Sequence, residues 1–481
     1  MFAIPWAVII TAGYVLAIVL VVRVVLQRRE PAATLAWAMS IVLIPYLGVL
    51  AYMFFGRRRL NRQVRRRQAI ATRIAPDLSR LGEAVEELTA DGELPHSLTA
   101  PASHELIRLT NRIGTRPLTV GNRVQLFVNA NATYLAMERA IREARQHINV
   151  EYYIFQPDAT GRRFRDLLAE RARDGIAVRV LTDGVGSFGV EEFMEPLLAA
   201  GARFAEFLPV RLVSRLHTHN LRNHRKLLVI DGQTAFTGGI NIGDEYTGQK
   251  RRIGPWRDTH LRIDGPGVCH VQEVFAEDWH FATAEEPDES WFPPLDAVGN
   301  VALQIVASGP DTESQPLQRI FFTAIATARS RVYLTTPYFI PDQAMRVALE
   351  TAALRGVDVR LLLPQRSDMR LVLFAGRSYY DELLRAGVRI FEYEAGMLHA
   401  KTMVVDDTWA TVGSANMDIR SFRLNFEINA AIYGPAFANE LGKVFLQDLK
   451  RSTEVTSAIY QTRRWPRRVA ESFARMLSPL L

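Results

Sequence analysis

The sequence predicts an α/β protein: two pseudo-twofold related halves, each a mixed β-sheet flanked by helices, behind an N-terminal two-helix transmembrane hairpin. Three observations carry this reading. Two uncharged runs open the chain, helices alternate with strands from about residue 117 onward, and one order of segments occurs twice. The 481 residues, 48% hydrophobic and 23% charged, suffice for two or three domains, with no collagen-like, disulfide-scaffold or disordered composition. The single cysteine, Cys269, excludes an intramolecular disulfide and any cysteine-built zinc or iron–sulfur site.

The uncharged runs cover Ile4–Val22 and Pro31–Gly56, separated by little more than Gln27-Arg28-Arg29-Glu30. At about 20 apolar residues per bilayer crossing, both are long enough to span, over 4–26 and 32–55. A signal peptide would need a basic n-region and a cleavage site, and the first run has neither. Buried core helices are the plainer alternative, weakened by the arginine cluster that follows. Residues 1–70 hold ten arginines and one acid, a net +9, so of the overall +7 the remaining 411 residues carry −2. The basic charge belongs to the N-terminal piece, and the near-neutral body argues against a nucleic-acid partner. Seven arginines, Arg57 to Arg67, follow the second run, against two or three in the connecting loop. Positive-inside bias therefore predicts a cytoplasmic C-terminal bulk, and the cluster suits an anionic lipid surface.

A polar segment, 71–116, leads into a first half, 117–300, and a second, 301–481. In the first, helical Tyr134–Arg145 precedes a β-rich run at 148–155, and helical Phe164–Arg173 precedes another at 175–181. The second repeats this with Leu317–Ala328, 332–339, Gln343–Leu354 and 356–362. Leu197–Arg203 then matches Leu383–Arg389.

Each half next reaches the same motif. His224, Lys226, Asp231 and Asn241 recur as His399, Lys401, Asp406 and Asn416, every pair offset by 175. Residues i and i+2 of a strand share a face, so each His lies beside its Lys. An imidazole, an ammonium and an amide facing one point suit a phosphate: the lysines neutralise its charge, and Asn donates to a non-bridging oxygen. Two halves closing across a pseudo-twofold axis would place imidazoles on opposite sides of one phosphorus, one to attack and one to protonate the leaving oxygen. A metal site from His217, His219 and His224 is the competing reading. The second half has no such cluster, so no metal is expected.

This constellation resembles the phospholipase D superfamily, whose HxKxxxxD motif appears twice here. Asn223-His224-Arg225-Lys226, Thr237-Gly238-Gly239-Ile240-Asn241-Ile242, Trp256-Arg257-Asp258-Thr259-His260 and Asp278-Trp279 are similar to bacterial cardiolipin synthases. So are Thr336-Pro337-Tyr338-Phe339, Gly413-Ser414-Ala415-Asn416-Met417-Asp418 and Leu424-Asn425-Phe426-Glu427. The resemblance implies two phospholipase D-like halves and a multi-pass enzyme of the bacterial inner membrane, its catalytic part facing the cytoplasm. It would condense two phosphatidylglycerol molecules into cardiolipin and glycerol, with no cofactor or metal. The implied partners are phosphatidylglycerol, other anionic phospholipids and the membrane, without nucleic acid and compatibly with a homo-oligomer. By analogy His224 attacks phosphorus and His399 protonates the departing glycerol, although the sequence itself is symmetric on that point. The candidate catalytic set is His224, Lys226, Asp231, His399, Lys401 and Asp406. Asp231 and Asp406 follow buried strands, which favours structural support over proton transfer. Asn241, Asn416 and Ser414 are candidates for binding phosphate. Asp258 and Glu427 are candidates for orienting the imidazoles, with the pairing open. Two accessory features complete the reading: an eleven-residue insertion within Pro209–Asn220, and a basic amphipathic tail from Arg463 to Leu480 that suits either a membrane surface or the body.

Overall fold

The structure, a computed structural model, describes residues 6–27, 31–52, 101–113, 116–209, 221–249, 254–312 and 314–478. The arginine cluster at 57–67, most of the segment 71–116, and the insertion with His217 and His219 lie outside the described residues. The N-terminal helices and the body form two separate units.

The first uncharged run forms one helix, α1 (Trp6–Leu26), but the second does not. It divides into α2 (Pro31–Leu43) and α3 (Pro45–Ala51). The break at Ile44 has a covalent cause. Pro45 offers no N–H and pushes its predecessor out of the helical region, and Ile44 sits at φ −131°, ψ 70°. Ala17, Leu20 and Val24 of α1 pack with Ile41, Val49 and Tyr52, and Gln27 Nε2 donates to the Tyr52 hydroxyl at 2.9 Å. The outer side of the pair exposes Ile18, Val19, Val22, Val25, Met39, Val42 and Leu47. Side chains of α1 are described from Gly13 onward. Among the described residues, no helix is long and apolar enough to cross a membrane.

In the body the first half contributes β1 (Thr119–Val128), β2 (His147–Tyr152), β3 (Ala177–Asp183), β4 (Arg203–Phe207), β5 (Lys226–Ile230), β6 (Thr234–Gly238) and β7 (Thr259–Asp264). The second contributes β8 (Val301–Ser308), β9 (Arg331–Thr335), β10 (Asp358–Pro364), β11 (Arg389–Tyr393), β12 (Thr402–Val405), β13 (Trp409–Gly413) and β14 (Asn425–Tyr433), with β15 (Ser452–Val455) added at the edge. One sheet runs through both, in the order β15-β11-β10-β9-β12-β13-β14-β8-β1-β7-β6-β5-β2-β3-β4. Read outward from the β8–β1 seam, the two halves carry the same strand order. The seam itself is short and antiparallel, pairing Thr119 with Leu303 and Asn122 with Val301 around an irregularity. Gly121 sits there at φ 83°, where a Cβ would meet that of Ala297 at 2.6 Å.

Local chemistry repeats along with topology. Asp158 and Asp342 cap α4 (Ala159–Arg173) and α5 (Gln343–Leu354), accepting from Gly161 N at 3.0 Å and Met345 N at 2.9 Å. Gly175 and Gly356 follow those helices at φ 88° and 89°, turning the chain into the next strand. The central strands are buried along their length, so they read as apolar runs rather than alternations. Val150, Val180, Leu228 and Ile230 pack with Phe164 and Leu168 in one core, and Val332, Leu361 and Met403 pack with Ile320 and Leu349 in the other.

Asp231 and Asp406 lie at the far ends of β5 and β12 from the histidines and lysines. Five residue steps along the strand carry the chain from Lys226 to Asp231, about 16 Å. Asp231 adopts φ 53° and its carboxylate accepts from the backbone N–H of Arg145, Gln146 and His147 at 2.7–2.9 Å. Asp406, at φ 52°, does the same for Arg329, Ser330 and Arg331 at 2.7–3.1 Å. Both residues therefore tie a hairpin to the start of the neighbouring strand and stand outside the cleft, which corrects their place in the catalytic set. Replacing Asp406 by Ala removes a charged acceptor from three N–H groups and puts at φ 52° a residue that tolerates the left-handed region less well than Asp. Asp406→Ala is expected to cost about 2–3 kcal/mol, and Asp406→Asn about half that. Thermal inactivation midpoints measure the loss. Turnover destroyed in a well-folded Asp406→Asn protein would return the carboxylate to the chemistry.

Candidate active site

Two short parallel pairings bring the motif histidines across the molecule. Arg222–Asn223 pairs with Asn425–Phe426 at the start of β14, and the His224 N–H donates to the Phe426 carbonyl at 2.9 Å. Met397–Leu398 pairs with Trp256–Arg257, and the His399 N–H donates to the Arg257 carbonyl at 2.8 Å. Each histidine thus lies beside the residue that follows in the opposite half, and that residue is an acid. His224 Nδ1 stands 3.0 and 3.1 Å from the two oxygens of Glu427, and His399 Nδ1 stands 2.7 Å from Asp258 Oδ2. The pairing left open by the sequence is crossed: each half orients the other's imidazole. With Nδ1–H donated to a carboxylate, each Nε2 keeps its lone pair.

Both carboxylates are fully buried, as are Lys226 and Lys401. Lys226 Nζ donates to the His224 carbonyl at 2.5 Å. Lys401 Nζ donates to the His399 carbonyl and lies 2.9 Å from His399 Nδ1. Burial pushes the Lys226 ammonium down to about 7 and the Lys401 ammonium down to about 8, with Glu427 and Asp258 resisting in both cases. Burial likewise lowers His224 to about 4, helped by both lysines and opposed by Glu427. His399 is lowered by burial and by Lys401, against Asp258. Burial would raise Glu427, but His224, Lys226 and the Ser414 hydroxyl outweigh it and hold the carboxyl below its usual range. Lys401, His399 and the Thr259 N–H do the same for Asp258. Each lysine acts on both carboxylates, so two cations, two anions and two neutral imidazoles share one centre.

The remaining candidates divide. Ser414 Oγ donates to Glu427 Oε2 rather than facing a ligand, and Asn425 Nδ2 donates to Oε1 at 3.0 Å. Gly239 occupies the equivalent place in the first half, where a Cβ would sit 2.1 Å from Asp258 Oδ1. The shorter acid fills the space that the serine takes in the other half. Asn241 is spent on the protein, its Oδ1 accepting from Ile154 N at 3.3 Å and its Nδ2 donating to the Tyr246 hydroxyl at 3.1 Å, so it is not placed for a phosphate. Asn416 differs from it: its buried Oδ1 has no partner among the described residues. The donor atoms of Cys269, His270 and Glu273 lie within 4.8 Å of one another elsewhere in the body. That trio is a poor cation site, since Arg116 pairs with Glu273 at 3.2 Å and burial pushes the Cys269 thiol up to about 12.

Three features escaped the sequence reading. Tyr153 packs edge-on against the His224 ring at 5.0 Å, and Trp256 lies 5.1 Å from the His399 ring. Behind His224, Asn223 donates to Glu151 at 2.8 Å and Arg225 pairs with Asp278, so both neighbours of the histidine are gripped from the opposite face of the strand. Burial and the adjacent Asp278 raise the Glu151 carboxyl well above the carboxylate range. The signal available was the alternation itself: residues 223 and 225 must face away from 224 and 226.

Comparison with known proteins agrees with this geometry. A family model described as "Cardiolipin synthase, PLD-like domain" matches residues 137–279 and 321–449, and one described as "Phospholipase_D-nuclease N-terminal" matches 15–57. A cardiolipin synthase of Geobacillus kaustophilus is 40% identical over 465 residues, covering 95% of this chain and 90% of its own. Cardiolipin synthase 1 of Bacillus cereus is 37% identical over 469 residues, with the same coverage. Among solved structures, phosphatidylserine synthase of Haemophilus influenzae shares the fold, with a TM-score of 0.60 and 14% identity over 78% of this chain and 98% of that one. A paired HxKxxxxD site on a duplicated sheet, together with relatives matched over nearly its whole length, shows that the chain belongs to the cardiolipin synthase family of the phospholipase D superfamily.

Proposed function

We propose that the chain is a phosphatidyltransferase that converts two phosphatidylglycerol molecules into cardiolipin and glycerol through a phosphatidyl-histidine intermediate. The crossed pairing of His224 with Glu427 and of His399 with Asp258 is the observation that carries this reading. His224 Nε2 attacks the phosphorus of the first lipid. The bond to the glycerol headgroup breaks, and the departing oxygen takes a proton from His399. Glu427 stabilises the positive charge that grows on the attacking imidazole, and Lys226 and Lys401 hold the charge of the non-bridging oxygens. The terminal glycerol hydroxyl of a second phosphatidylglycerol then loses its proton to His399 and attacks phosphorus. The P–N bond breaks, and cardiolipin leaves with His224 restored. The resting imidazoles are neutral because burial and the lysines oppose their charge, and an incoming phosphodiester anion offsets those lysines. His399 Nε2 therefore takes up a proton from solvent as the phosphodiester binds, gives it to the departing glycerol, and regains one from the hydroxyl of the second lipid.

Asn416, whose Oδ1 has no partner among the described residues, is the asparagine we assign to the ligand, that oxygen accepting from a glycerol hydroxyl of the lipid headgroup. The apolar outer side of α1–α3 is the surface we assign to lipid, its paired helices forming a multi-pass anchor in the bacterial inner membrane. Arg57–Arg67 would then lie on the cytoplasmic side together with the body.

Purified chain in phosphatidylglycerol vesicles is expected to release glycerol and accumulate cardiolipin. Phosphatidic acid as the main product would make the enzyme a hydrolase. His224→Ala and His399→Ala should each lower turnover by about a thousandfold or more. In the His399→Ala protein a lipid adduct should be found by peptide mass spectrometry on His224, and an adduct on any other residue reverses the assignment.

The lysines also predict a pH profile. Their folded values lie below the ordinary lysine value, so each ammonium is lost as pH rises through about 7 and 8 in the free enzyme. The ratio kcat/KM for the anionic lipid should therefore fall above pH 7–8. Bound phosphate restores both charges, so the alkaline limb of kcat should lie at higher pH. Coincident limbs for the two parameters would show that the lysines do not titrate with substrate.

A further inference from the structure

The C-terminal helix α7 (Trp465–Met476) docks on the body by one side only. Glu471 and Ala474 are buried there, Glu471 held by Arg463 and by Arg467 at 3.1 Å, and Arg475 reaches Glu382 at 2.8 Å. At 3.6 residues per turn, Trp465, Val469, Phe473 and Met476 fall within an arc of about 80° on the opposite side. They are 74%, 55%, 61% and 76% exposed. A helix that packs through a glutamate and an alanine while presenting a tryptophan, a phenylalanine, a valine and a methionine outward is inverted for a body in water alone. Arg464 and Arg468 beside this stripe make no side-chain ion pair among the described residues.

The place of α7 gives the stripe a use. It packs on α6 (Arg370–Arg377), which begins two residues after Asp368. Asp368 accepts from the Tyr338 hydroxyl at 2.9 Å, and its charge is felt by Lys401. Exposed Met369 and Leu371 flank Arg370 at that same corner. The support of α7 is thus the rim of the cleft.

We propose that α7 is a lipid contact, lying in the interfacial plane of an anionic bilayer with Trp465, Val469, Phe473 and Met476 in the acyl boundary and the arginines at the headgroups. This rests on the phosphatidyl-transfer reading above and deepens it: the contact would hold the cleft rim at the surface from which lipid must enter. Anionic lipid is the occupant favoured by Arg464 and Arg468, which have no ion pair among the described residues, and by a tryptophan at the helix start, whereas a second protein chain would find the stripe narrow and flanked by these charges.

The test uses the full chain in vesicles of phosphatidylglycerol and phosphatidylcholine. A Cys269→Ser background carries a single nitroxide on Phe473→Cys or, as a control, on Glu143→Cys, an exposed position at the end of the helix Ala130–Glu143. The label at 473 should become accessible to oxygen and shielded from a polar nickel reagent, while the label at 143 remains aqueous. An aqueous label at 473, or one immobilised equally in detergent without lipid, overturns the proposal. Trp465→Glu with Phe473→Glu should lower transfer on long-chain vesicles by about tenfold and leave turnover of monomeric short-chain phosphatidylglycerol unchanged. Equal losses on both substrates would mean that the helix only supports the fold. Failure of the unaltered chain on either substrate would instead sink the functional reading, with the labelling result unaffected.

Discussion

The rest of the structure depends on the exchange of carboxylates between halves. His224 is oriented by an acid 203 positions away, and His399 by one 141 positions away. Neither half alone holds a competent imidazole. The continuous sheet follows from this need. The β8–β1 seam and the two short parallel pairings fix the halves closely enough that hydrogen bonds of about 3 Å form on both sides at once.

The charges inside the cleft make a second constraint. Lys226, Lys401, Asp258 and Glu427 sum to zero and lie out of water, so each ion is stabilised only by the others and by hydrogen bonds. Such a set is poised for a single added anion. In the proposed reaction a phosphodiester between the lysines would favour their charged form and tip the imidazoles toward theirs. Behind the cleft, Glu151 and Asp278 hold Asn223 and Arg225, so the strand that carries His224 is clamped from its opposite face.

Much of this was legible in the sequence because it is periodic or repeated. The 175-residue offset marks the duplicated motif, and the recurrence of helix, strand and glycine marks the duplicated sheet. What could not be read is what depends on distance through space. Local patterns cannot say that Glu427 meets His224, since both acids follow equally plausible strands. Spacing also misleads. Asp231 belongs to the same short motif as His224, yet the extended chain carries it about 16 Å beyond Lys226, where it ties backbone amides. Asn241 and Asn416 occupy equal positions in the repeat and differ because only one has Tyr246 and Ile154 within reach. In the second apolar run, composition alone showed an unbroken stretch, while the missing N–H of Pro45 divides it in two.

The two halves are alike in scaffold but unlike at the acids, and that difference bears on which imidazole attacks. Glu427 offers both oxygens to His224 Nδ1, and Ser414 and Asn425 donate to it. Asp258 is one methylene shorter, leaves room only for Gly239, and offers one oxygen to His399. The ammonium of Lys401 stands 2.9 Å from that same Nδ1, whereas Lys226 makes no comparable contact with His224 Nδ1. A ring that must carry positive charge while bonded to phosphorus is best placed against a carboxylate with no cation at the same nitrogen. A ring that must release a proton is best placed where a cation weakens its hold. By this reasoning the environment of His224 suits the nucleophile and that of His399 the acid. The proposed division of roles would then rest on one methylene and one hydroxyl on an otherwise symmetric frame.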